Sequence, residues 1–151
     1  MSAREPASFP PGDEFPTQFR RWRFWRRWFG ERSECAAAKY LRGKGYRILA
    51  TNVADRRGEL DLIARYGNTL VVVEVRSTST MDPQRAADSV DFRKQRKLTE
   101  AALRFLSRRR LLNVTVRFDV LAIAWPLEQQ EPMVMHIPNA FEATGKFQMF
   151  G

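Results

Sequence analysis

The chain has 151 residues, 44% of them hydrophobic, which is material for one modest domain with its own core plus a tail or two. One cysteine, Cys35, and one histidine, His136, exclude an internal disulfide, cysteine-based metal clusters and histidine-rich zinc sites, suit a reducing cytoplasm, and leave carboxylates as the main metal-binding chemistry. The net charge of +9 lies in two stretches, Arg20 to Arg32 with a net of +5 and Asp91 to Arg110 with a net of +6, while the remainder sums to −2. Such a distribution points to a polyanion, nucleic acid first, with a solvated basic face as the plainer alternative.

In chain order, residues 1–18 carry Pro6, Pro10, Pro11, Gly12 and Pro16 without periodicity and are expected to be a disordered leader. The segment 19–32 interleaves aromatic and basic residues. Trp22, Trp25 and Trp28 or Phe29 recur at helical spacing, so this segment can fold against the domain, stack on nucleotide bases or lie on an anionic membrane surface. Its aromatic stretch from Gln18 to Phe29 is too short to span a bilayer and lacks the apolar core and cleavage site of a secretory signal. Residues 33–141 then read as the folded domain and 142–151 as a tail. The domain opens with a helix from Glu34 to Lys44, Ser33 being its expected N-cap and Gly43 and Gly45 marking its end. Its inner stripe includes Ala37, Ala38 and Leu41. Glu34, seven residues before Leu41, starts that face, where it either points at the sheet or complements the helix dipole.

A strand from Tyr46 to Val53 precedes two more, Glu59–Arg65 and Leu70–Arg76, which a two-residue Gly67-Asn68 turn pairs as a hairpin. Side chains alternate along a strand, so Glu59, Asp61 and Ile63 should share one face, and Leu70, Val72, Glu74 and Arg76 one face of the partner. The turn sets Asp61 opposite Glu74 and Glu59 opposite Arg76. Two carboxylates about 5 Å apart between their Cβ atoms repel and resist removal from water, so a cation belongs between them. Mg²⁺ fits, because it takes oxygen ligands and is commonly held by one or two carboxylates with substrate phosphates. Glu59 and Arg76 are equally open to a cross-strand ion pair with no chemistry attached.

The spacing next predicts a long helix from Ala87 to Arg109 with Leu98, Ala101, Ala102, Phe105 and Leu106 inward. Lys94 lies on that apolar stripe, four residues after Val90 and four before Leu98, and either snorkels to solvent or reaches a phosphate; Arg93 and Lys97 belong to the same basic run and are expected nucleic-acid contacts. Strands Thr115–Ala124 and Met133–Ile137 complete the domain. Asp119 is an acid in an otherwise apolar run, and His136 reads as a structural residue rather than a catalyst. The order of helix, three strands, helix and two strands implies an α/β fold with a mixed sheet.

Taken together, Ser33-Glu34, Ala37, Tyr40-Leu41, Gly45-Tyr46, Asn52, Gly58-Glu59-Leu60-Asp61, Val73-Glu74-Val75-Arg76, Lys94, Ala101, Leu106, Arg117-Phe118-Asp119 and His136-Ile137-Pro138-Asn139-Ala140-Phe141 resemble the bacterial YraN family (UPF family 0102) over roughly residues 30–141. The resemblance implies the restriction-endonuclease-like three-layer fold, a mixed central sheet flanked by helices in the order αβββαββ, and likeness to archaeal Holliday-junction resolvases. It also implies Mg²⁺ or Mn²⁺ held by Glu34, Asp61 and Glu74, DNA as partner, and a metal-dependent endonuclease acting on branched or structured DNA with Glu34, Asp61, Glu74 and Arg76 as the catalytic set. Arg76 stands where that pattern has lysine. An arginine keeps its proton at any workable pH, so Arg76 can hold a phosphate but cannot deprotonate water, and the water-positioning role would pass to Glu59 or Lys94. Two other functions stay open at this point: a nucleic-acid-binding module without catalysis, and a membrane-surface or partner-binding adaptor through residues 18–29. Whether two copies form a homodimer is open as well.

Overall fold

The computed structural model describes residues 28–79, 81–126 and 131–143, with side chains from Arg32 onward. The leader 1–18, the Trp/Arg segment up to residue 27 and most of the tail fall outside the described residues. The elements are α1 (Trp28–Gly43), β1 (Arg47–Asp55), β2 (Gly58–Tyr66), β3 (Thr69–Ser77), α2 (Pro83–Asp88), α3 (Phe92–Arg108), β4 (Thr115–Ala124) and β5 (Met133–Phe141). The five strands form one sheet in the order β1-β2-β3-β4-β5. Only β3 and β4 pair in parallel, and the chain between them is the α2–α3 crossover, as a parallel connection requires.

Alternation within the central strands builds the three layers. Val71 and Val73 of β3, with Leu121 and Ile123 of β4, pack with Leu62, Ala64 and the α1 residues Ala37, Ala38 and Leu41. Leu70, Val72, Phe118 and Val120 point the other way and pack with Leu98, Ala101, Ala102, Phe105 and Leu106 of α3. β3 and β4 are therefore apolar on both faces, the usual character of strands with a helix on each side. The mixed α/β architecture expected from the sequence is the one observed.

Two boundaries differ, each for a local reason. α1 begins at Trp28, so Ser33 lies inside it and is not its N-cap. Its hydroxyl is buried against the sheet instead, 3.2 Å from the Ser77 hydroxyl and accepting from Trp125 Nε1 at 3.1 Å. The single helix expected over Ala87–Arg109 is two helices. Asp82 caps α2 by accepting from the Gln84 N–H at 3.0 Å, and after the buried Val90 the Asp91 carboxylate accepts from the Lys94 N–H at 2.8 Å and starts α3 afresh.

Candidate functional site

The β2–β3 ladder runs from Tyr66 opposite Thr69 to Leu62 opposite Val73, the register that a two-residue turn opening on Gly67 at φ +59° dictates. One step further the ladder opens, because the Val75 N–H donates to the Asp61 carboxylate at 2.9 Å. The alternation of β2 slips at the same place. Leu60 and Ile63, three residues apart, both join the α3-side core, whereas Leu62 and Ala64 join the α1-side core. Glu59, Asp61 and Ile63 therefore do not share one face as strict alternation predicts. Facing the slip on β1 is Asn52 at φ +53°, between the pairs Thr51–Leu62 and Val53–Leu60; asparagine tolerates this left-handed conformation better than most residues.

The consequence is a convergence of acids from two layers. Glu34 of α1 and Glu59 and Asp61 of β2 each offer a carboxylate oxygen within 4.8 Å of the other two, and Glu34 is buried. Of the trio Glu34, Asp61 and Glu74 that the sequence favours, the structure brings the first two together with Glu59. Glu74 sits alongside: its Oε1 lies 3.5 Å from Lys94 Nζ and 3.4 Å from Arg76 Nε, while its buried Oε2 has no hydrogen-bond partner. The Arg76 contact is an ion pair without hydrogen-bond geometry, since the same Nε is unsatisfied. Burial first, and then the neighbouring Asp61 charge, push the Glu74 carboxyl up to about 7 against the pull of Lys94 and Arg76.

The surroundings fix these groups. Lys94 turns in from the first turns of α3 with its side chain 37% exposed, and Arg93 and Lys97 lie on the exposed side of the same helix. On the other layer, the Ser33–Ser77 and Trp125–Ser33 hydrogen bonds tie α1 to the ends of β3 and β4 one residue from Glu34. The Arg32 guanidinium stacks 3.9 Å over the Trp125 ring. Sequence reasoning missed Ser33, Ser77 and Trp125 as supports of this region, because each is an ordinary residue whose partner is remote in the chain.

A second buried acid is arranged quite differently. Asp119 of β4 is fully buried, and it accepts from Arg117 Nε at 2.8 Å, from Arg117 Nη2 at 2.8 Å and from the Asn139 N–H at 2.9 Å, with His136 Nε2 at 2.7 Å. Arg117 Nη2 also donates to the Tyr46 hydroxyl at 2.7 Å. Burial alone would raise this carboxyl, yet the bonds from His136, Arg117 and the Asn139 backbone outweigh it and hold it below the ordinary carboxylate range. His136 is thus a structural partner of Asp119, as its place in an apolar strand suggests.

The family model of the uncharacterised protein family UPF0102 matches residues 33–123. The chain belongs to UPF0102. A UPF0102 protein of Rhodopirellula baltica is 46% identical over 125 residues, covering 81% of this chain and 75% of that protein. Two more, from Geobacter sulfurreducens and Geobacter metallireducens, are 45% and 41% identical over 116 residues, covering 75% of this chain and 88% and 91% of theirs. The restriction-endonuclease-like superfamily is consistent with UPF0102 membership and with the mixed α/β sheet. The matched stretch contains Glu34, Glu59, Asp61, Glu74, Arg76 and Lys94 of this UPF0102 protein, and Asp119, but not His136.

Proposed function

We propose that this UPF0102 protein binds nucleic acid and is a divalent-metal-dependent endonuclease of the restriction-endonuclease-like class, acting in the cytoplasm on branched or otherwise structured DNA. The observation that carries this reading is the convergence of Glu34, Glu59 and Asp61 within 4.8 Å beside the cations Arg76 and Lys94. All three donors are hard oxygens, which suits Mg²⁺ or Mn²⁺ rather than zinc or copper. Cis and trans ligands of an octahedral magnesium ion lie about 3 and 4 Å apart, so oxygens within 4.8 Å fit after a small closure. Glu34, Glu59 and Asp61 would hold the ion. When bound there it would supply charge for a phosphodiester and lower the pKa of attacking water.

The chain's own groups divide the remaining work by charge and position. Asp61 is oriented by the Val75 N–H, so its carboxylate is held ready. Arg76 and Lys94 place positive charge on the α3 side of the centre, where they can take up phosphate charge as a substrate draws them from Glu74. Arg76 cannot serve as a base. The alternative, a nucleic-acid-binding module without catalysis, is favoured by this same arginine, which engages Glu74 at the position where resolvase-like sites carry lysine. Among the described residues no helix is long and apolar enough to cross a membrane, and the adaptor reading rests on residues 18–29, almost all outside those described.

The deciding experiment is incubation of the full chain with a labelled four-way junction and Mg²⁺ or Mn²⁺. Nicking is expected, and it should vanish in Asp61→Asn, where the amide oxygen still accepts from Val75 and the fold is kept. Steeply salt-dependent binding without cleavage, together with a gain of cleavage in Arg76→Lys, would overturn the catalytic reading in favour of the binding module.

A further inference from the structure

Each of the two basic stretches that carry the net charge has a residue beside the acidic centre, and the two lie on opposite faces of the sheet. Arg32, the last residue of the first stretch, lies in α1 two residues before Glu34, and Lys94 of the second lies in α3 with its ammonium 3.5 Å from Glu74. Arg32 is exposed, and its guanidinium lies 3.9 Å over the Trp125 ring. Trp125 packs against the α1-side core and donates from Nε1 to the Ser33 hydroxyl at 3.1 Å, and Ser33 in turn meets Ser77 at 3.2 Å. Ser33 precedes Glu34 and Ser77 follows Arg76, so these contacts tie the Trp125 shelf to α1 and β3 at the rim of the centre.

An arginine laid on an indole is held in place without using its N–H groups, because the stack occupies a face of the guanidinium while the donors lie in its plane. Elsewhere in the domain that planar fork is filled: Arg104 holds both oxygens of Asp55, and Arg117 both oxygens of Asp119. Among the described residues no carboxylate pairs with Arg32. A positioned fork without an acid matches the paired oxygens of a phosphate. We propose that Arg32, shelved on Trp125, grips a backbone phosphate of the nucleic acid on the α1 side of the acidic centre, so that the centre lies between this grip and the one at Lys97 on α3. The inference deepens, and rests on, the nucleic-acid reading given above.

The test is binding of the full chain, in EDTA, to a labelled four-way junction, followed by anisotropy over a range of salt concentrations. Arg32→Ala should weaken binding about tenfold and lower the slope of log affinity against log salt by about one. Adding Lys97→Ala should lower the slope by about one more, since the two cations meet different phosphates. Arg32→Lys should restore the slope but only part of the affinity, because an ammonium lacks the planar fork. Trp125→Leu should lose part of the affinity when made alone and none when added to Arg32→Ala, which marks Trp125 as a positioning residue acting through Arg32. Arg42→Ala, an equal change of charge ten residues and about 15 Å further along α1, should weaken binding less than twofold. Unchanged binding in Arg32→Ala, an equal loss in Arg42→Ala, a double variant no weaker than either single one, a lysine as good as the arginine, or a Trp125→Leu loss that persists on top of Arg32→Ala would overturn the inference. Binding that ignores Arg32 sinks this inference alone, whereas no binding by the wild type sinks the nucleic-acid reading with it. Asp61→Asn should abolish junction cleavage in Mg²⁺ and leave the Arg32-dependent binding in EDTA intact.

Discussion

Asp119 and Glu74 are acids buried in adjacent central strands; Asp119 lies opposite Val73, the residue before Glu74, and the two side chains face opposite helical layers. Asp119 is met by Arg117, His136 and a backbone N–H, and its carboxyl is held low. Glu74 shares its surroundings with Asp61, has one buried oxygen without a hydrogen bond, and is pushed up to about 7 even with Lys94 and Arg76 beside it. The first centre is complete within the chain and reads as structure. The second gathers the carboxylates of Glu34, Glu59, Asp61 and Glu74 beside Arg76 and Lys94, and burial with a neighbouring like charge perturbs one of them, the usual mark of a candidate functional site.

Breaking the complete centre should have the largest effect. Asp119→Ala leaves Arg117 without its carboxylate partner and removes the acceptor of the Asn139 N–H. Loss of one partner of such a buried pair costs about 3–5 kcal/mol, measurable as a lower urea midpoint.

The pH dependence of the metal-free protein separates the two centres by sign. Asp119, with a depressed carboxyl, contributes stability that is present above the ordinary carboxylate range and lost as pH falls through its folded value. Glu74, raised from 4.5 to about 7, contributes stability that is complete below 4.5 and is lost as pH rises to about 7. Urea denaturation in EDTA should therefore show a decline on the order of 2 kcal/mol between those values that is absent in Glu74→Gln. A decline of the same size in both proteins would remove Glu74 as its source.

Smaller effects sharpen the contrast. Asp61→Asn in EDTA relieves repulsion while keeping the Val75 hydrogen bond, so it should be neutral or stabilising by about 1 kcal/mol. Arg104→Ala removes contacts of 2.6 and 3.1 Å to Asp55 that tie α3 to the end of β1, and should cost about 1 kcal/mol, read as a lower urea midpoint.

The hairpin was legible because two independent patterns agree on it: the Gly67-Asn68 turn and the alternation of Leu70, Val72 and Glu74 both fix the register observed from Tyr66–Thr69 to Leu62–Val73. β4 was legible for the same reason, its apolar run fitting a strand buried on both faces. Glu59 was not legible as the third member of the acidic trio. Its place depends on the slip of β2 at Asp61 opposite the left-handed Asn52, a backbone event that strict alternation hides. Ser33 misled because serine that caps a helix and serine that bonds across a buried helix face look alike in sequence; only the tertiary partners Ser77 and Trp125 tell them apart. Asp119 stood out as an acid among apolar residues, but its partner His136 depends on the β4–β5 register, which shifts between Phe118 and Val120.

Thermal unfolding of the full chain in EDTA and in millimolar Mn²⁺, for the wild type and Asp61→Asn, tests most directly whether the acidic centre is built to hold a divalent cation. Mn²⁺ should raise the wild-type midpoint by roughly 5 °C and leave Asp61→Asn unmoved. An equal shift in both proteins, or none in the wild type, would contradict it.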